Sequence, residues 1–149
     1  MSSLPDTTAR HAPENIAILL REPFRRMTEQ TIARLAERGH PQVRYAHGNV
    51  FQFLDDAGTR VSVLAERAGM TKQSMAQLVE HLETHGYVER VSDPADGRAK
   101  LVRTTARGRE VFAVVREFIA ETEALIEARL GADKLARLRA LLTELDAAL

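Results

Sequence analysis

Gln73 and Gln77 stand one helical turn apart in the stretch Lys72-Gln-Ser-Met-Ala-Gln-Leu-Val-Glu-His81, so on a helix both amides project from one side. An amide donates and accepts at once, which matches the edge that adenine presents in the DNA major groove, and Gln to adenine is a favoured bidentate pair. Thr71 and Ser74 suit phosphate contacts, and Lys72 adds a charge that any sequence would attract. With Ala76 and His81 these residues make up the expected exposed face of a helix over 72–85, whose Met75, Leu78, Val79 and Leu82 point inward.

A second group lies in Ser92-Asp-Pro-Ala-Asp-Gly-Arg98, a run of turn formers between two short β-prone segments. Arg98 at the tip of such a hairpin can enter a minor groove, where negative potential is concentrated, and Asp96 is expected to hold its guanidinium in place. Lys100 continues the basic run. From Arg98 to Arg109 the chain carries five cations and no acid. The chain as a whole has 21 basic and 21 acidic residues, so affinity for a polyanion would have to come from local charge and not from the total.

Other chemistries find little support. There is no cysteine, which excludes disulfides, thiolate catalysis and Cys-ligated zinc. His81 and His85 have a spacing that can ligate a metal, but no third ligand follows, so no metal or cofactor is expected. The eight glycines are dispersed as stops and turns, with no phosphate-binding loop and no paired nucleophile and base, so no enzyme is expected. Apolar runs are far too short to span a membrane, and residues 1–15 lack a signal pattern, so a cytoplasmic protein is expected.

These side chains need a scaffold. Residues 61–68 read as a short helix with Val61, Leu64, Ala65 and Ala68 on one face, and Ala65 and Gly69 allow a second helix, capped by Thr71 and stopped at Gly86, to approach steeply. Leu64, Met70, Met75 and Leu78 fill the core around that contact. Residues 87–91 and 100–104 read as the two strands of a hairpin. Upstream, 14–38 is helical but is expected to bend or divide at Pro23, and 43–55 resumes with Val50, Phe51 and Leu54. Downstream, 105–130 is helical, Gly131 interrupts, and Leu135, Leu138, Leu142, Leu145 and Leu149 form a seam. Residues 1–13 read as a flexible tail. The fold expected is mainly α with a small β-hairpin wing: a winged helix-turn-helix over about 57–104, flanked by dimerisation helices at about 14–38 and 105–149, all one domain over 14–149.

The segments Leu64-Ala-Glu-Arg-Ala-Gly-Met-Thr71, Leu82-Glu-Thr-His-Gly-Tyr-Val-Glu-Arg90, Asp96-Gly-Arg98 and Thr105-Ala-Arg-Gly108 together resemble the multiple-antibiotic-resistance regulator (MarR) family, and the helix order resembles it over nearly the whole chain. Two departures stand out: Thr104 replaces the usual Leu, and Pro23 falls within the first long helix. The resemblance implies a homodimeric transcriptional regulator that binds pseudo-palindromic double-stranded DNA, commonly as a repressor. It also implies release by a small aromatic or anionic effector between the dimer helices and the winged domain, where Arg44, Tyr45, His47 and Phe51 would line the cleft. The apolar surface of the outer helices supports self-association independently. A winged-helix module that binds only protein would keep this core but would need neither Arg98 nor the Gln73 and Gln77 face.

Overall fold

The computed structural model describes residues 15–149; the tail expected over 1–13 lies outside them. Asn15 caps the first helix, its Oδ1 accepting the Ile18 N–H at 3.1 Å. That helix, α1 (Ile16–Glu37), runs through Pro23 without dividing, so the two separate helices that the proline was expected to allow are one. Proline already has a helical φ and removes only one ladder bond. Pro23 and Leu19, whose carbonyl loses that bond, are exposed, so water can satisfy the oxygen. Charged pairs cross the same turn, with Arg21 and Arg25 donating to Glu22 and Arg25 also to Glu29.

The expected element over 43–55 shrinks to a 3₁₀ turn (Tyr45–His47) running into α2 (Gly48–Phe51). Gly48 lowers helix propensity at the junction, yet Val43, Val50 and Phe51 are buried, so packing keeps the short piece in place. Then come α3 (Val61–Arg67) and α4 (Lys72–Thr84). Between them Gly69 takes φ +62°, and the Met70 N–H returns to the Ala65 carbonyl at 2.9 Å, closing the tight turn that the sequence pattern requires. Ala65 is buried beside Leu64, Met75, Val79 and Leu82, with Met70 and Leu78 packed on the edge of the cluster.

The hairpin strands are longer than expected: β1 (Val88–Asp93) pairs antiparallel with β2 (Asp96–Thr104), and only Pro94 and Ala95 lie between them. Register runs from Val88↔Thr104 to Ser92↔Lys100 and then jumps to Asp93↔Asp96. Gly97, Arg98 and Ala99 therefore have no partner in β1, and Arg98 is the middle one of this bulge. On the other edge of β2, Thr59 and Val102 exchange both backbone hydrogen bonds at 2.9 Å.

The last two helices are α5 (Ala106–Leu130) and α6 (Ala132–Ala148). The Thr105-Ala-Arg-Gly108 segment ties α5 to the hairpin. Thr105 Oγ1 accepts the Gly108 N–H at 3.2 Å and donates to the Gly86 carbonyl at 2.6 Å. A Cβ on Gly108 would lie 2.2 Å from the Tyr87 carbonyl oxygen, so only glycine lets the helix come this close. Val111 and Val114 continue this helix into the core beside Leu35, and Arg34 and Arg38 of α1 pair with Glu121 and Glu117 of α5. The outer halves are different. Ile16, Leu19, Leu20, Phe24 and Met27 on α1, and Ile119, Leu125, Leu130, Leu138, Leu141 and Leu142 on α5 and α6, remain exposed.

Candidate nucleic-acid interface

The N-terminal end of α4 is built for exposure on one side and burial on the other. Thr71 caps it, its Oγ1 accepting the Ser74 N–H at 3.1 Å. Met75, Val79 and Leu82 are buried, whereas Lys72, Gln73, Ser74 and Gln77 are exposed. The side chains of Lys72, Gln73 and Gln77 make no hydrogen bond or ion pair with the described residues. They are free to meet a partner without first breaking an internal contact. Thr71 and Ser74 are not equal in this respect. The Thr71 hydroxyl donates to Ser74 Oγ at 2.9 Å, which leaves the Ser74 hydroxyl as the available donor.

His81 departs from the expected exposed set. Its ring is stacked on His47 with centroids 4.6 Å apart and lies 4.5 Å from the His85 ring. His81 Nε2 donates to the Gln42 carbonyl at 2.9 Å, and His85 Nδ1 donates to the His81 carbonyl. The side chain thus faces the loop after α1 and fastens α4 to it. His47, expected in a ligand cleft, also points into this cluster: it is 3 % exposed, and its Nδ1 accepts the Arg44 N–H at 2.8 Å. Burial, then the nearby rings and Arg44, lower its pKa to about 4, so the ring is neutral near pH 7.

At the hairpin tip, Asp96 does not hold the Arg98 guanidinium as expected. Its Oδ1 accepts the Arg98 backbone N–H at 3.1 Å, because the amide two residues on is within reach of a short carboxylate with no long side chain to order. The Arg98 side chain is exposed and makes no ion pair. Lys100 Nζ donates to Ser92 Oγ at 3.2 Å. The acids of the tip turn instead to a residue that sequence reasoning missed: Arg60, just before α3, donates from Nε (2.8 Å) and Nη2 to Asp93 Oδ2. Asp93 is only 7 % exposed, and the Ala95 N–H followed by Arg60 holds its carboxyl below the usual carboxylate range. Beneath the hairpin, the Tyr87 hydroxyl donates to Gln42 Oε1 while accepting from Arg107.

A cavity of about 250 Å³ lies between α1, the 3₁₀ turn with α2, and α5; Arg44, Tyr45 and Phe51 line it with Thr31, Ile32 and Val115. His47 is the one expected member that does not. Among the described residues no group of three or more His, Cys, Asp or Glu is placed to hold a metal ion, and no helix is long and apolar enough to cross a membrane.

A short helix, a tight glycine turn, an exposed polar second helix and a hairpin with a free arginine at its tip make a winged helix-turn-helix. Residues 42–99 match the MarR family model. Over 94 residues the chain is 31 % identical to the transcriptional regulator HosA of Escherichia coli O111:H-, covering 63 % of this chain and 67 % of that protein. The chain belongs to the MarR family. MarR proteins are DNA-binding transcriptional regulators, and solved structures of the same fold include the S. aureus MepR–DNA complex, with a TM-score of 0.71 at 18 % identity, covering 91 % of this chain and 99 % of that one. The PcaV regulator from Streptomyces coelicolor, solved with its natural ligand, has a TM-score of 0.58 at 26 % identity, covering 93 % and 99 %. The helix-turn-helix and most of the wing of this MarR protein lie inside the matched segment. Arg60 and Asp93 lie there as well, and their pairing was missed because no local pattern links residues 33 positions apart.

Proposed function

We propose that this MarR protein is a sequence-specific DNA-binding regulator that acts as a homodimer on pseudo-palindromic operators and represses until a small aromatic or anionic effector binds. The reading rests most on one observation: Lys72, Gln73 and Gln77 stand exposed and uncommitted at the N-terminal end of a helix whose opposite face is fully buried. That end of a second helix is the part that enters a major groove. Gln73 and Gln77 read base edges, Lys72, Thr71 and Ser74 meet phosphates, and Arg98 with Lys100 brings the wing to the minor groove beside it.

Self-association is supported by the apolar residues left exposed on α1, α5 and α6, more than single scattered side chains would account for. Two copies joined there would present two α4 helices to two half-sites. Residues 14–149 would then act as one unit, with the winged part over about 57–104 carried between dimerisation helices. The cavity lined by Arg44, Tyr45 and Phe51 is the place for an effector, offering a cation, a hydroxyl and an apolar wall. The work is binding and not catalysis, and its place is the cytoplasm, where the DNA is.

Titrating the full chain onto the DNA upstream of its own gene, with and without aromatic acids, tests this reading. A retarded complex at moderate salt that dissociates on adding an aromatic acid is the expected result. Failure to retard that DNA, or any DNA recovered by selection, would refute it.

A further inference from the structure

We infer that Arg60, which belongs to the helix-turn-helix and not to the wing, is a positioning residue that sets the wing for DNA. This inference rests on the DNA-binding reading above. The residue sits directly before α3 in extended backbone, and its side chain makes no cap for that helix. It reaches instead across to the wing, where both Nε and Nη2 donate to Asp93 Oδ2 and Nη2 lies 4.0 Å from Asp96 Oδ2.

Two consequences follow from this placement. The first is mechanical. Thr59 grips Val102, two residues from the inner end of β2, through two backbone hydrogen bonds, and a sheet held there alone can pivot about that point. Arg60, the next residue, grips Asp93 at the outer end of β1, so the hairpin is held at two places and its tip has a defined angle to α4. The bulge that carries Arg98 begins at this outer attachment, where the register jumps between Ser92 and Asp93.

The second is electrostatic. Asp93 and Asp96 are the acids of the tip, and without a partner they would turn to the nearest cation on the same hairpin. Arg60 takes up Asp93 and draws in Asp96, while the Asp96 Oδ1 is held by the Arg98 backbone N–H. The Arg98 guanidinium is left without an acid partner. A buried carboxylate stripped of its arginine would be costly to keep charged, so the pair is expected to act as a unit.

The test is a double-mutant cycle on DNA binding with the full chain, using R60Q, D93N, R98A and R60Q/R98A. R60Q and D93N should each weaken binding on the order of ten-fold, and the double variant should be no more than about two-fold worse than R98A alone, because the wing is already lost. Base preference read by Gln73 and Gln77 should persist in R60Q, which a general loss of folding would not allow, and R60K should recover part of the affinity. Losses that multiply in the double variant, each with its own reduction in salt dependence, would make Arg60 an independent phosphate contact and overturn the proposal. So would an R60Q protein that binds as the wild type while R98A is impaired. An R98A variant that binds normally would refute the wing reading itself, and the role of Arg60 with it.

Discussion

Replacing Gly108 by alanine tests whether the Thr105-Ala-Arg-Gly108 segment serves packing. Alanine is the better helix former by about 1 kcal/mol, and Gly108 lies in the first turn of α5, so propensity alone predicts stabilisation. The surroundings predict the opposite. The added Cβ would lie 2.2 Å from the Tyr87 carbonyl oxygen and 2.6 Å from Thr104 Cγ2, where ordinary contact begins near 3.4 Å. Something must move by about 1 Å. Tyr87 cannot yield easily, since its side chain is buried and its carbonyl accepts the Thr105 N–H. Overpacking of this kind costs about 1–3 kcal/mol or more, and with backbone as the obstacle the upper end applies, leaving a net loss of about 2 kcal/mol. For a chain of this size that lowers Tm by roughly 5 °C or more. Gly48 is the control. A Cβ there meets nothing within 4 Å and the backbone is helical, so G48A should gain about 0.5–1 kcal/mol. Thermal and urea unfolding at one fixed protein concentration would measure both. Equal signs for the two variants would refute the reasoning.

R98A should weaken DNA binding by about 1–3 kcal/mol through loss of a charge-assisted groove contact; unchanged affinity at moderate salt would show that the wing does not carry it. His47 is held neutral, with its pKa lowered from 6.5 to about 4. The unfolded chain takes up that proton first as pH falls, so stability is full above about pH 6.5 and declines toward pH 4 by roughly 3 kcal/mol. H47Q should flatten that part of the pH–stability curve, and an unchanged slope would count against the burial of a neutral ring. Ending the chain after Leu130 should remove α6 and impair dimerisation, as followed by light scattering; a well-behaved dimer of the shortened chain would contradict the interface.

Features set by neighbours in sequence were legible without a structure. Gly69 in the turn and Thr71 as cap each express a local backbone requirement, and each is found where the pattern put it. Contacts between distant segments were not legible. Arg60 meets Asp93 only because Thr59 has joined β2, and no periodicity encodes that meeting. His81 shows how a helical face misleads over two turns. Each step of four residues drifts about 40° around the axis, so His81 lies well round from Gln73 and reaches the buried side, where His47 and Gln42 receive it. Pro23 was given too much weight, since a proline on an exposed face need not break a helix whose other contacts continue. The loop after α1 was read as a longer helix because its apolar residues repeat at helical spacing, but the helix ends after Phe51, short of Leu54.

The exposed face of α4 is held to read DNA sequence while Lys72 at its start supplies unspecific attraction. Binding-site selection on the wild type, Q73A, Q77A and K72A tests it most directly. Q73A and Q77A should each lose preference at particular base positions, symmetrically in the two half-sites, whereas K72A should keep the preference and bind every sequence less tightly with a shallower salt dependence. Selection of the same sequence by Q73A and Q77A as by the wild type would contradict the account.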